Sequence, residues 1–158
     1  MQLAPALASI TLSAHITVAT AQPQPVPSSD PAMNTAIAQA QKSLDNFLKL
    51  KSAPLSGTSQ FTVKVLFTQG EAKEHMWVMP FRAAPGAGFE GILQNDARFI
   101  STLRRGQQVR FSREQVTDWG YSKDGTLLGF FTVCAMFARA PEQRAQLEAS
   151  GQRYACAP

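Results

Sequence analysis

The chain has 158 residues, a net charge of +4 and a pI near 9.4; 44% of it is apolar and 16% charged. That is enough chain for one buried core and too apolar a mixture for a wholly disordered protein. So mild a basicity does not by itself mark a nucleic-acid binder, and no stretch supplies the ~20 apolar residues of a membrane span.

The first 29 residues contain no Lys, Arg, Asp or Glu. An apolar, small-residue stretch ends in Ala19-Thr20-Ala21, with small residues at the −3 and −1 positions of a cleavage site before Gln22. Residues 1–21 therefore read as a secretory signal peptide, 22–29 as a Pro-rich linker and 30–158 as a single domain. A disordered tail is the competing reading. Both cysteines, Cys134 and Cys156, fall in the C-terminal quarter. In an exported protein such a pair oxidises, and the bridge contributes roughly 3 kcal/mol by loop entropy. Signal and cysteines support each other, so the expected location is periplasmic or secreted.

Asp30-Pro31 opens a helix, Asp as cap and Pro in the first turn. Met33, Ile37, Ala40, Leu44, Phe47 and Leu48 then form one apolar stripe to about Lys49, before "KSAPLSGTS" breaks it. From Phe61 the period becomes two, with Phe61, Val63, Val65 and Phe67 on one face. "TQGE" turns the chain, and Glu74 to Phe81 returns as the second strand of a hairpin, with Pro80 marking an edge or bulge. Phe89 to Leu93 is a third strand. Asp96 is placed to cap a short helix, Ala97 to Arg105, with Gly106 as its left-handed terminator. Val109 and Phe111 mark a fourth strand, "VTDWGY" a fifth, and "SKDG" a turn. "TLLGFFTVCAMFAR" is apolar nearly all round, which fits a buried helix or a buried strand; the helix is preferred because a Pro141-started helix, "PEQRAQLEAS", follows. The sum is an α+β fold: a small curved antiparallel sheet of about five strands, with an N-terminal helix and C-terminal helices packed on it.

His75 is the only histidine beyond the signal segment. With two scattered cysteines it makes no zinc ligand set, and neither a metal nor a cofactor is expected. Ser59, Ser101 and Ser112 lie outside any G-x-S-x-G elbow, and "PGAGFEG" lacks the Lys-Ser/Thr of a phosphate loop. Alternation puts His75, Trp77, Met79 and Phe81 on one face of their strand and Glu74, Met76 and Val78 on the other. His75 is then a core or rim residue, or an acid–base group bordering a site with Glu74, Asp118 and Trp119. Arg104, Arg105, Arg110 and Arg113 crowd one stretch, dense enough to dock phosphate or carboxylate groups, or simply a solvated surface.

"VKVLF", "EHMWV", "FEGILQND", Leu103-x-x-Gly106 leading into "VRF", "VTDWGY", "DG" and "GFFTV" occur in an order that resembles domain of unknown function family 2314, the YegJ-like proteins. The resemblance covers about Asp30 to Arg144. It implies a small bacterial domain, often exported, with no assigned reaction. Its characteristic residues fall on Glu74, His75, Trp77, Gly91, Asn95, Gly106, Asp118, Trp119, Gly129 and Thr132. Cys134 departs from the family pattern, which tends to place a basic residue there.

The function expected from all this is a non-enzymatic module that binds a protein partner in the cell envelope, an inhibitor of a secreted toxin or hydrolase being one form. Trp77, Asn95, Trp119 and the four arginines are its candidate contacts, since Trp and Arg anchor interfaces. The alternative is a small hydrolase using His75 with Glu74 or Asp118. A small-ligand carrier would need an enclosed apolar cavity.

Overall fold

The computed structural model describes residues 30–156, so the expected signal peptide and linker, residues 1–29, lie outside the described residues. Helix α1 spans Pro31–Ser52, slightly longer than its apolar stripe suggests. Asp30 caps it: one carboxylate oxygen accepts the amides of Ala32 and Met33 at 3.0 and 3.2 Å. The other oxygen pairs with Arg139 and ties the helix start to the C-terminal region. Ala36, Ala40, Leu44 and Phe47 form the buried face.

The strands are β1 (Thr58–Gln69), β2 (Ala72–Ala83), β3 (Phe89–Leu93), β4 (Gln108–Phe111), β5 (Val116–Lys123), β6 (Thr126–Gly129) and β7 (Arg153–Tyr154). They form one seven-stranded sheet in the order β4-β3-β2-β1-β5-β6-β7. Every neighbouring pair is antiparallel except β6 and β7. The fold is α+β as expected, but the sheet is mixed and carries two strands more than the apolar pattern marked.

Helix α1 covers one face of the sheet. Val63 and Val65 of β1, Met76 and Val78 of β2, Leu93, Val116 and Trp119 are all buried there with Leu44 and Phe47. Phe47 is the hub: its ring stacks on Trp119 at 4.8 Å and on Phe81 at 6.2 Å. Strict alternation put Phe81 with His75 and Trp77, yet it belongs to the core. A register shift between Val78 and Phe81, at the cis Met79–Pro80 bond, turns it over.

Two further expectations are corrected. Residues 97–105 form no helix; they are a loop in which the Arg98, Phe99, Ile100, Arg104 and Arg105 amides donate to side chains. Asp96 accepts the Arg105 amide at 3.0 Å across that loop instead of capping a helix. The apolar run 126–139 is not one buried helix. It divides into β6 and helix α2 (Phe131–Phe137), with Gly129 and Phe130 both at positive φ, 85° and 50°, where the chain turns between them. Helix α3 (Pro141–Ala149) follows as expected but buries no residue. Cys134 and Cys156 form a disulfide, with Cα atoms 5.5 Å apart, that fastens the chain end to α2.

Candidate functional site

The face of the sheet away from α1 carries the alternate side chains: Thr62 and Lys64 of β1, His75, Trp77 and Met79 of β2, and Ser122 of β5. Half of it is a polar and ionic cluster. The other half is an aromatic groove.

Asp118 organises the cluster. It is fully buried, and its carboxylate accepts the amides of Trp119 at 2.8 Å, Phe131 at 3.1 Å and Thr132 at 2.8 Å, plus the Thr132 hydroxyl at 2.5 Å. It therefore holds the first turn of α2, where free amides and the helix dipole favour an anion. Burial pushes the Asp118 carboxyl up from the ordinary range, while Thr132, Lys64 and the Trp119 amide pull the other way. Lys64 lies opposite Asp118 in the β1–β5 ladder. Its ammonium donates to the Thr132 hydroxyl at 2.8 Å and sits 5.0 Å from the centre of the Trp77 ring. Burial lowers the Lys64 pKa, and Asp118 opposes that shift.

His75 borders this cluster. Its Nδ1 is 2.9 Å from the Thr117 hydroxyl, which in turn lies 3.3 Å from the Lys64 carbonyl. The hydroxyl has one proton for these two contacts, so the direction of the His75–Thr117 bond follows the ring tautomer. Burial and then the Lys64 charge lower the His75 pKa. Glu74 points through the sheet to the core side. Its carboxylate accepts the amides of Arg98 at 2.7 Å, Phe99 at 3.0 Å and Ile100 at 3.4 Å. With Glu74 on the opposite face and both Asp118 oxygens committed to α2, no carboxylate is paired with His75 among the described contacts. The acid–base pair that the sequence suggested is not assembled here.

The groove lies beside Trp77 and has a volume of about 590 Å³. Thr62, Trp77, Met79 and Ser122 make its floor and Gln94 one side. Leu127, Phe130, Gln152 and Tyr154 make the other. Three rings form a staircase: Trp77 to Phe130 at 5.2 Å, then Phe130 to Tyr154, edge-on, at 5.4 Å. Gly120 makes this possible, because a Cβ there would come within 2.2 Å of the Phe130 ring. Burial raises the Tyr154 pKa, so its hydroxyl stays protonated, and it donates to Gln152 Oε1 at 3.1 Å. None of the lining residues carries a charge.

The remaining sequence candidates are dispersed. Trp119 is not at the surface: it is a core residue whose indole N–H donates to the Ala40 carbonyl at 2.9 Å. Asn95 braces the site from behind, its Oδ1 accepting the Trp77 amide at 3.1 Å. Arg110 faces Glu90 at 3.6 Å and Arg113 pairs with Asp45 at 2.8 Å. Arg104 and Arg105 are exposed on the loop before β4. The four arginines do not converge on one site. Trp77 alone of the candidate contacts lines the groove. Phe130, Leu127, Gln152 and Tyr154 were missed because the strands that bring them to the sheet, β6 and β7, are too short to show a period. The "GFF" after "DG", with Gly beside two aromatic residues, was the available signal.

Among the described residues, no three His, Cys, Asp or Glu side chains are grouped to hold a metal ion. None of the described helices is long and apolar enough to cross a membrane.

Over 114 residues the chain is 27% identical to "Uncharacterized protein YegJ" of Escherichia coli K12, covering 72% of each protein. A second relative, "Putative ankyrin repeat protein NMB1133/NMB1171" of Neisseria meningitidis serogroup B, is 31% identical over 85 residues, which is 51% of this chain and 33% of that protein. No solved structure matches. The family model described as "Uncharacterized protein conserved in bacteria (DUF2314)" matches residues 30–151, the span that holds α1, strands β1 to β6 and the Asp118 cluster, and the chain belongs to that family.

Proposed function

We propose that this protein is a non-catalytic binding module that holds an extended, uncharged segment of a partner protein in the open-face groove. The observation that carries the reading is the Trp77–Phe130–Tyr154 staircase along a groove lined with amide and hydroxyl groups and no charge. Large rings supply contact area at little entropic cost, and the amides satisfy the backbone groups of an extended peptide. The commitment of Glu74 and Asp118 to backbone amides favours binding over acid–base chemistry. The disulfide supports a setting in the bacterial envelope or outside the cell, where such bridges persist.

The test is selection from a random-peptide display library on the immobilised full chain, followed by hydrogen-exchange footprinting of the best binder. Enriched peptides should lack charge over the bound stretch and protect residues around Trp77, Leu127 and Tyr154. Enrichment of charged peptides, or protection centred on the Arg104–Arg105 loop, would refute the proposal.

A further inference from the structure

We propose that the Cys134–Cys156 disulfide is a redox latch on the groove: reducing it releases the C-terminal strap, residues 141–156, and removes the wall that Gln152 and Tyr154 provide. As regulation of that groove, the inference rests on the binding role proposed above.

The strap is held by little else. Helix α3 buries no residue. Strand β7 has two residues, paired with β6 only at Thr126–Arg153 and Leu127–Tyr154, and extended by one Ala155 amide bond to the Leu127 carbonyl at 2.8 Å. The Tyr154 ring meets Phe130 and Phe137 edge-on, at 5.4 and 5.2 Å. The Arg144–Glu148 pair lies within α3 and ties the strap to nothing outside it. By contrast, the buried core runs from Ala40 to Trp119 and includes no residue of the strap. The body can therefore keep its fold while the strap leaves.

The bridge closes a separation of 22 residues. Loop-closure entropy makes such a tether worth on the order of a hundred-fold in the balance between docked and released strap. Cys134 and Cys156 are each half-buried, within reach of a small or protein dithiol. One thiolate of the dithiol attacks a cysteine sulfur, breaking the Cys134–Cys156 bond and forming a mixed disulfide; its second thiol then closes the dithiol's own disulfide. Two electrons and two protons pass from the dithiol to the protein, which is left with two thiols.

The experiment compares the oxidised full chain with the same chain reduced by dithiothreitol, complete reduction being verified by thiol titration. Amide hydrogen exchange is followed in the strap and in β1, β2 and β5, and the display-selected peptide is titrated against both forms. The latch predicts at least tenfold faster exchange after reduction at Ala155, whose amide donates to Leu127 of β6, with the β1, β2 and β5 amides unchanged within twofold. The Cys134→Ser/Cys156→Ser variant should show the same pattern without reductant. Peptide affinity should change at least tenfold between the two forms. Unchanged strap exchange after complete reduction would overturn the latch, as would equal acceleration throughout the core, because the bridge would then staple the whole fold. Strap release with no peptide bound by either form would uphold the latch and refute the binding role.

Discussion

The Thr132 hydroxyl lies 2.5 Å from an Asp118 carboxylate oxygen and 2.8 Å from the Lys64 ammonium, so one small group bridges a buried acid and a half-buried base. Neither charge has a direct ion-pair partner in the other. Removing the bridge leaves both partly desolvated and less well satisfied. Thr132→Val should therefore lower stability by about 2–3 kcal/mol, the scale of hydrogen bonds to charged groups. Urea unfolding with an unchanged m-value checks this; a loss below about 0.5 kcal/mol would mean that the bridge contributes nothing beyond an ordinary contact.

Glu74 holds three consecutive amides of the loop before β4, from Arg98 to Ile100. Glu74→Gln keeps the shape but replaces a charged acceptor with a weaker one and adds an amide donor with no acceptor. The expected cost is about 2 kcal/mol. The decisive sign is local: exchange of the Arg98, Phe99 and Ile100 amides should accelerate at least tenfold more than that of β1. Uniform acceleration would contradict this role.

His75 makes stability depend on pH. Its folded pKa lies below the unfolded value near 6.5, because burial and the Lys64 charge disfavour the imidazolium. The unfolded chain then binds more protons just below that value, so stability is highest above it. Stability is lost as pH falls from about 6.5 through the folded pKa. Asp118, whose carboxyl burial pushes up, is common to both proteins, so comparison with His75→Gln isolates the effect. Thermal unfolding between pH 7.5 and 5.5 should show a decline in the wild type that is shallower in the variant; parallel curves would remove His75 from the account.

Much of the fold was legible because its signals were local. Asp30-Pro31 fixed the start of α1, and alternation placed Val63, Val65, Met76 and Val78 on one buried face. The failures came where tertiary contacts overrode local pattern. Asp96 and Gly106 looked like helix caps, but Glu74, distant in sequence, supplies the hydrogen bonds that a helix would have made. Phe81 changed face through a bulge that Pro80 only hinted at. Trp119 has the residue type of a surface anchor, but its stacking on Phe47 is not readable from spacing. The groove was hidden for the same reason. Trp77 was visible, while Phe130 and Tyr154 reach it only after β6 and the two-residue β7 join the sheet.

Placing a charge in the groove tests the binding role most directly. Leu127 is half-buried in its wall, and its backbone pairing in β6 is independent of its side chain. Isothermal titration of the display-selected peptide should show at least a tenfold weaker Kd for Leu127→Arg, about 1.4 kcal/mol, and no change for Arg110→Ala, whose side chain lies elsewhere and faces Glu90. Unaltered affinity in Leu127→Arg, with binding lost in Arg110→Ala, would contradict the account and return the binding surface to the arginines.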